Sequence, residues 1–584
     1  GSTFNSFVCL FPPILCICSV YWCNWIWRSC QLKRSVVRNS AGPSIVISFA
    51  LAGIASLLSA LCYAEFGARF PKAGSAYTYA YIGVGELWAF IIGWNIILEH
   101  MLGAAAVARS WSGYLDSLLG NAMKNSTFIN MAHFDASFFA DYPDLIAFAV
   151  VVAVAIFVAL GSKTSTNFNS IFTLINMLVI MFVVVYGFTF ADFSLWSGTD
   201  EETGHARFMP FGLNGLMTGA ASCFFAYIGF DGLATAGEEA SDPSRAIPLA
   251  TFISMSIVTA AYILMSAALT LMVPFREVNP TAAFSDAFAS RGAEWAKYLV
   301  SVGALSGMTT SLVGSMFALP RCVYAMAEDG LLFKTFAQIS DNTQVPLNAV
   351  VVFGAATSII ALLFDIETLV EFLSIGTLLA YTIVSACVIV LRYRPTPIEE
   401  GIAEGSGGRI REWVPGQSWL SVPRPGVAVT WCVFTMIVGD AGVSVIFATG
   451  YARTMSGVLG SILFAFMSFA AFILICLHYQ NKAQISFKVP LVPLIPSISM
   501  LTNILLMMHL APITWLRLVV WLVIGNRHLC IYISILILTN KTTIEVMCQR
   551  NWHDMRFCNP LHQTNRSHKL SANDKIRTLT HSYI

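Results

Sequence analysis

Residues 210–248 read P-F-G-L-N-G-L-M-T-G-A-A-S-C-F-F-A-Y-I-G-F-D-G-L-A-T-A-G-E-E-A-S-D-P-S-R-A-I-P. The stretch is apolar and long enough to cross a bilayer, yet Gly229, Gly232, Gly237 and the carboxylate of Asp231 sit near or beyond its middle. Inside hydrocarbon an interrupted helix persists only where its freed N–H and C=O groups line a cavity or meet a ligand, because each unsatisfied group costs several kcal/mol. A broken span with an acid beside the break therefore points to a binding site. Half-helix N-termini suit a carboxylate and unwound carbonyls suit an ammonium. An α-amino acid has both groups. Glycine is also frequent in ordinary membrane helices, so packing plus a capped helix end is the competing account of Gly-Phe-Asp taken alone.

Composition sets the class. The chain has 584 residues, 57% hydrophobic and 11% charged, with a mean hydropathy of +0.70. A soluble globule carries about 25% charged residues, so this is an all-α polytopic membrane protein with the lipid bilayer as its surroundings. The net charge of +1, without a basic stripe or finger spacing, excludes nucleic acid as a partner. The 14 cysteines form no C-x-x-C pairs, and Cys62, Cys223, Cys322, Cys387, Cys432 and Cys476 read as small buried hydrophobes. Gly83-Val84-Gly85 lacks the remaining fingerprint glycine of a dinucleotide site. With no nucleophile, metal-ligand or phosphate-cradling constellation, the expectation is a non-enzyme without a cofactor.

The string Phe224 to Pro248 closely resembles the sixth span and following cytoplasmic loop of the cationic amino acid transporters, in the amino acid-polyamine-organocation superfamily. The resemblance runs from Val36 to Gly525. It implies a leucine-transporter-type inverted repeat, spans one to five and six to ten, with further helices after them. Phe225, Ala226 and Ile228 match positions whose backbone carbonyls receive the substrate ammonium, Gly229 and Asp231 flank them, and Phe230 matches an aromatic gate. Glu99 matches an acid in a third-span W-x-x-x-L-E string that the family needs for transport. Ser315 falls where a small residue leaves room for a long side chain. Asn176 stands where proton-coupled relatives carry lysine, which favours uniport or exchange. A protonated carboxyl that caps a helix break or bonds to a neighbouring span is the plainer account of Glu99 or Asp231, and helix packing that of Ser315. Thr377 reads as interhelical glue.

Fourteen spans of about 20 residues are expected. They are Val8 to Trp27, Pro43 to Phe66, Leu87 to Ala108, Leu145 to Leu160, Ile171 to Phe190, the stretch quoted above, Ile247 to Val273, Tyr298 to Ala318, Leu347 to Phe364, Thr368 to Leu391, Pro425 to Phe447, Gly457 to His478, Leu491 to Leu510, and one beginning at Ile513. The organisation expected is an atypical segment 1–35, a transporter core 36–391, a cytoplasmic linker 392–424, additional spans 425–525 and a divergent tail 526–584. Lys and Arg are richer in the loops carrying Arg69, Lys72, Arg245, Arg321 and Arg394 than in those opposite, which favours a cytoplasmic amino end; the resemblance implies the plasma membrane. Asn125 of Asn-Ser-Thr is then an outside glycan acceptor.

The family's first span carries a glycine-rich carboxylate cradle of the form G-S-x-x-G-x-G-I-Y-V. Here only Gly1, Ser2 and Thr3 could begin it, and Val8 to Trp27 holds Pro12 and Pro13 with five cysteines nearby. No charged n-region or small-residue cleavage site marks a signal peptide. The expectation is a gene-model or splicing artefact, or a truncated paralogue, and a chain that transports poorly.

The function expected is sodium-independent transport of arginine, lysine and ornithine. The alternatives are a neutral or proton-coupled amino acid carrier and a transport-inactive sensor or receptor. Oligomeric state is not legible. Ser315→Met is predicted to narrow selectivity against arginine and lysine while sparing alanine-sized substrates, since a thioether fills the space beside a small hydroxyl; competition uptake with the three amino acids measures this.

Overall fold

The computed structural model describes residues 41–70, 76–119, 140, 143–160, 162–199, 204–227, 229–230, 243–278, 283–340, 343–395, 407–414, 426–481, 486–510 and 512–527. These residues are helices and connections, with two isolated β-bridges, Thr199 to Ala206 and Ile410 to His478. All but Arg527 belong to one compact unit, Gly1–Asn526. The expected first span, Asn125, Ile228 and Asp231 lie outside the described residues.

Expected spans two to fourteen each have a helix. They are α1 (Ile45–Arg69), with a short loop helix α2 (Ala76–Gly83) after it, then α3 (Glu86–Leu118), α4 (Leu145–Ala159), α5 (Ser162–Phe188) and α6 (Gly212–Phe224). Next come α7 (Pro243–Met272), a second short helix α8 (Ala283–Ser290), α9 (Glu294–Glu328), α10 (Leu347–Leu363) and α11 (Ile366–Tyr393). Last are α12 (Val427–Ala448), α13 (Met455–Cys476), α14 (Leu494–Met508) and α15 (Pro512–Arg527), the final two meeting at a bend of 106°. Among the described residues 8 helices are long and apolar enough to cross a membrane singly; α4, α10 and the apolar part of α6 are shorter.

Several boundaries move from their expected places. The third span, expected to end at Ala108, stays helical to Leu118, and Arg109 is buried, donating from Nε and Nη2 to the Ala361 and Leu362 carbonyls at 2.8 Å each. A guanidinium is well suited to the unpaired carbonyls at a helix C-terminus. Span eight runs ten residues past Ala318, through Pro320, to Glu328. Proline is tolerated there because neighbouring helices re-satisfy the freed backbone group. Arg392, expected to open the linker, is buried in α11, and Cys432 and Cys476 are only half-buried. The start of α4 is set by Asp144, whose Oδ1 accepts from the Ala147 N–H and the Ser112 hydroxyl, both at 2.9 Å.

The packing carries the internal repeat. The helices of spans two and seven (α1, α7), three and eight (α3, α9), and four and nine (α4, α10) lie against each other. Other contacts come in pairs related by the same shift of five spans: α5 on α9 with α11 on α3, α5 on α7 with α11 on α1, and α10 on α3 with α4 on α9. The loop helices obey it too, α2 lying on α3 and α8 on α9. Five is odd, so the second copy starts from the opposite face: the repeat is inverted. The helices fall into two groups, α1 with α6 and α7, and α3 with α4, α9 and α10, joined chiefly by α5 and α11. At α5 the approach is close: a Cβ on Gly303 of α9 would come within 2.6 Å of Val179, and one on Gly307 within 3.2 Å of the Asn176 amide. This Gly-x-x-x-Gly spacing lets backbones meet in a medium that gives no hydrophobic drive.

Two polar connections tie α14 and its approach to this core. The Arg392 guanidinium donates to both Glu65 carboxylate oxygens, at 2.7 and 2.9 Å, and the Val489 N–H donates to Glu65 Oε2 at 2.7 Å. Deeper, Ser59 of α1 and Ser385 of α11 each lie 2.9 Å from the Ser499 hydroxyl of α14, and the Asn503 amide donates to Ser59 at 3.1 Å. Outside the spans, the Tyr77 phenol of α2 donates to Asp329 Oδ2 at 2.6 Å, and burial with that carboxylate pushes its ionisation far above the usual tyrosine range. Breaking one partner of a buried ion pair costs about 3–5 kcal/mol, far more than replacing both. Arg392→Met is therefore predicted to lower thermal stability in detergent sharply, with partial recovery in the double variant that also carries Glu65→Met.

Candidate solute site

Helical pairing in span six ends at Phe224. Phe225–Tyr227 form a 3-10 turn, and Gly229 takes φ +118°, a backbone region that side chains with a Cβ rarely enter. The interruption expected from the glycines thus begins at the Phe-Phe-Ala-Tyr-Ile-Gly run. Two tyrosines hold it in place. Tyr262 of α7 donates from Oη to the Ala226 carbonyl at 3.0 Å, and Tyr227 donates from Oη to the Phe49 carbonyl of α1 at 2.8 Å. Their rings meet edge-on at 5.2 Å, and Phe49 lies 5.3 Å from Tyr262. The Ala226 carbonyl, an expected ammonium acceptor, thus already holds one hydrogen bond and keeps a second lone pair.

Phe230, the expected gate, is 8% exposed and packs against Tyr381 of α11 at 4.7 Å and edge-on to Tyr63 of α1 at 5.5 Å. Tyr63 and Tyr381 themselves meet at 5.2 Å, and Phe224 reaches Tyr381 at 6.1 Å. Tyr79 of α2 continues the cluster, 6.0 Å from Tyr63 and stacked on Phe66 at 4.7 Å. These rings form one aromatic cluster beside the broken span. It joins α1 and span six to α11, across the junction between the helix groups.

The other expected residues are distributed around this centre. Glu99 is buried in α3, within the second helix group, one turn beyond Asn95. Ser315 is half-buried on α9. Asn176 is fully buried on α5, where it lies against Gly307. Thr377 is buried and donates to the Leu373 carbonyl of its own helix. The backbone of Phe225 is described but its side chain is not. Of the expected residues, Ala226, Gly229 and Phe230 lie together at the break, while Glu99, Ser315 and Asn176 lie on α3, α9 and α5. Sequence reasoning missed Tyr262, Tyr227, Tyr63 and Tyr381. Their signal is a phenol inside an apolar span, where its hydroxyl requires a partner.

A membrane carrier built as an inverted repeat around a broken central span is the class these features define. A family model described as amino acid permease matches residues 33–439, and another, described as its C-terminus, matches residues 487–539, continuing past Gly525. The chain is 41% identical over 526 residues to cationic amino acid transporter 4 of mouse (Mus musculus), spanning 85% of this chain and 82% of that one; the human (Homo sapiens) counterpart gives the same figures. It is 33% identical over 531 residues, 85% of each chain, to a protein of Arabidopsis thaliana named cationic amino acid transporter 3, mitochondrial. This chain belongs to the cationic amino acid transporter family of the amino acid permeases.

Leaving a buried carbonyl without its donor costs about 1–3 kcal/mol. Tyr262→Phe removes that donor and little volume, loosening the turn that presents the carbonyls, so it is predicted to weaken substrate affinity by at least about fivefold, the equivalent of 1 kcal/mol, with near-normal surface expression, measured as the concentration of half-maximal uptake.

Proposed function

We propose that the chain carries cationic L-amino acids, namely arginine, lysine and ornithine, across the plasma membrane without sodium, by uniport or exchange, with its amino end in the cytoplasm. The observation that supports this best is the interruption at Phe225–Gly229 in span six, which packs against α1. Its carbonyls suit an ammonium. The names of the mouse, human and plant relatives favour a cationic side chain in addition to the zwitterionic head. Glu99, buried on α3, is the acid assigned to complement that charge, since an ionisable group costs about 2.5 to 3.5 kcal/mol to insert at this depth. Asn176, neutral where proton-coupled relatives carry a lysine, supports transport without a proton. Rocking of α1, α6 and α7 against α3, α4, α9 and α10 would open each face in turn, with α5 and α11 as the flexing connections. On this reading the protein is not an enzyme.

A second reading is a transport-inactive relative acting as a sensor or receptor. It is favoured by residues 4–35, which do not carry the glycine-rich carboxylate cradle. One assay separates the readings. Vesicles reconstituted with the full chain are given labelled arginine or leucine at an imposed inside-negative potential. A monovalent cation moving alone gains about 2.3 kcal/mol per 100 mV, roughly a fiftyfold accumulation. Voltage-dependent arginine uptake, lost in a normally folded Glu99→Gln variant, is the expected result. Leucine uptake indifferent to potential would replace it with a neutral carrier, and no uptake of either by folded protein would favour the second reading.

A further inference from the structure

Four cations from three chain segments gather near the end of α13, where Asn481 ties down the end of α11 and the Arg394 that follows it. The Asn481 N–H donates to the Arg392 carbonyl at 2.8 Å, and its Nδ2 donates to the carbonyls of Leu391 at 2.7 Å and Arg394 at 3.2 Å. Residues 407–414 are held alongside. The Gly408 N–H donates to the Tyr479 carbonyl at 2.9 Å, the Tyr479 N–H to the Arg409 carbonyl at 2.8 Å, and the Arg411 N–H to the Leu477 carbonyl at 2.9 Å. Ile410 and Val414 are buried and anchor the segment. Arg394, Arg409 and Arg411 thus share one small platform. Lys488 joins it from the loop whose next residue, Val489, donates to the partner of Arg392.

The charges are positioned for an anion. Arg394, Arg409 and Lys488 are exposed, while Arg411 lies half-buried with its guanidinium 5.8 Å from the Tyr479 ring centroid. Arg411 Nε is buried and has no acceptor among the described residues. Glu65 is engaged by Arg392, which leaves Glu412 as the exposed acid on this segment. The depth points to lipid. α13 has 22 residues, about 33 Å of helix, and its flanks are open, with Leu463 65% and Phe466 69% exposed. A helix of that length across a 30 Å core ends among the headgroups. Trp413, 66% exposed beside the arginines, is the side chain expected at that level, where an indole anchors between apolar and wet layers.

We propose that this platform binds the phosphate of an anionic phospholipid in the adjoining leaflet. Arg411 donates from Nε, and Arg394, Arg409 and Lys488 supply the remaining positive charge. The inference uses only the passage of α13 across the bilayer and not the identity of the transported solute. A lipid held here sits over the Glu65–Arg392 pair, at the junction of α1 and α11.

The test uses the purified full chain in detergent, with phosphatidylserine, phosphatidylcholine, or inorganic phosphate as probes. Lipid retention is read by native mass spectrometry and stability by thermal unfolding. Phosphatidylserine is expected to be retained roughly tenfold better than phosphatidylcholine and to raise the melting temperature more. That preference should vanish in R409A/R411A, be reduced but present in R409K/R411K, which keeps the charge and removes the Nε donor, and persist in R453A, whose exposed arginine lies at the other end of the α12–α13 hairpin. For the unaltered chain, half-molar salt should largely abolish the preference. Equal retention of the two lipids, a preference indifferent to salt, or an unchanged preference in a folded R409A/R411A would each overturn the proposal. Stabilisation by inorganic phosphate equal to that by phosphatidylserine would overturn the lipid assignment.

Discussion

A polypeptide in hydrocarbon has no water to complete its hydrogen bonds, and this constraint decides where the chain can be irregular. The break after Phe224 exposes carbonyls that a continuous helix would have paired. Tyr262 takes one of them, while Tyr227 ties the turn to the Phe49 carbonyl on α1. The two phenols keep the segment unwound without leaving every freed group orphaned. What they leave is acceptor capacity at the buried Ala226. A solute with an ammonium group is a complement to that remainder, because it brings donors to a place short of them.

The same constraint explains why the rest of the fold is divided as it is. Helices in lipid adhere by close packing and by polar contacts, so the strong associations are few and specific. Gly303 and Gly307 bring α9 against α5, and the aromatic cluster of Phe230, Tyr381 and Tyr63 fastens span six and α1 to α11. These contacts fall on the two connecting helices. A rigid group on each side, joined through two elements related by the inverted repeat, is a geometry with two ways of closing.

Much of this was legible in the residues. The helical class follows from composition, and Gly229 marks the break because φ +118° is open to glycine and nearly closed to other residues. The burial of Glu99 follows from its place in an apolar run. Partners were not legible, because periodicity carries no information about which helix lies opposite. Glu65 and Arg392 each read as the polar end of a span, at the expected boundary with water. The structure instead joins them across 327 residues and buries both. Arg109 likewise reads as the first loop residue, while in the fold it caps a helix more than 250 residues later. The tyrosines were hidden by the opposite effect: in a chain 13% aromatic, a phenol in a span does not stand out until its hydroxyl is seen to point at a carbonyl.

The shared use of Glu65 by Arg392 and Val489 has a consequence for synthesis. The carboxylate is translated 327 residues before its guanidinium partner and 424 before the amide that completes it. At roughly 5–20 residues per second the first interval alone lasts on the order of tens of seconds. Throughout that time α1 carries an acid with neither mate at its membrane end, and α7 can dock on α1 before the bridge to α11 exists. The amino-terminal half is thus made first and locked last, and a ribosome stalled anywhere before the loop at Val489 leaves an assembly with its charge centre unfinished.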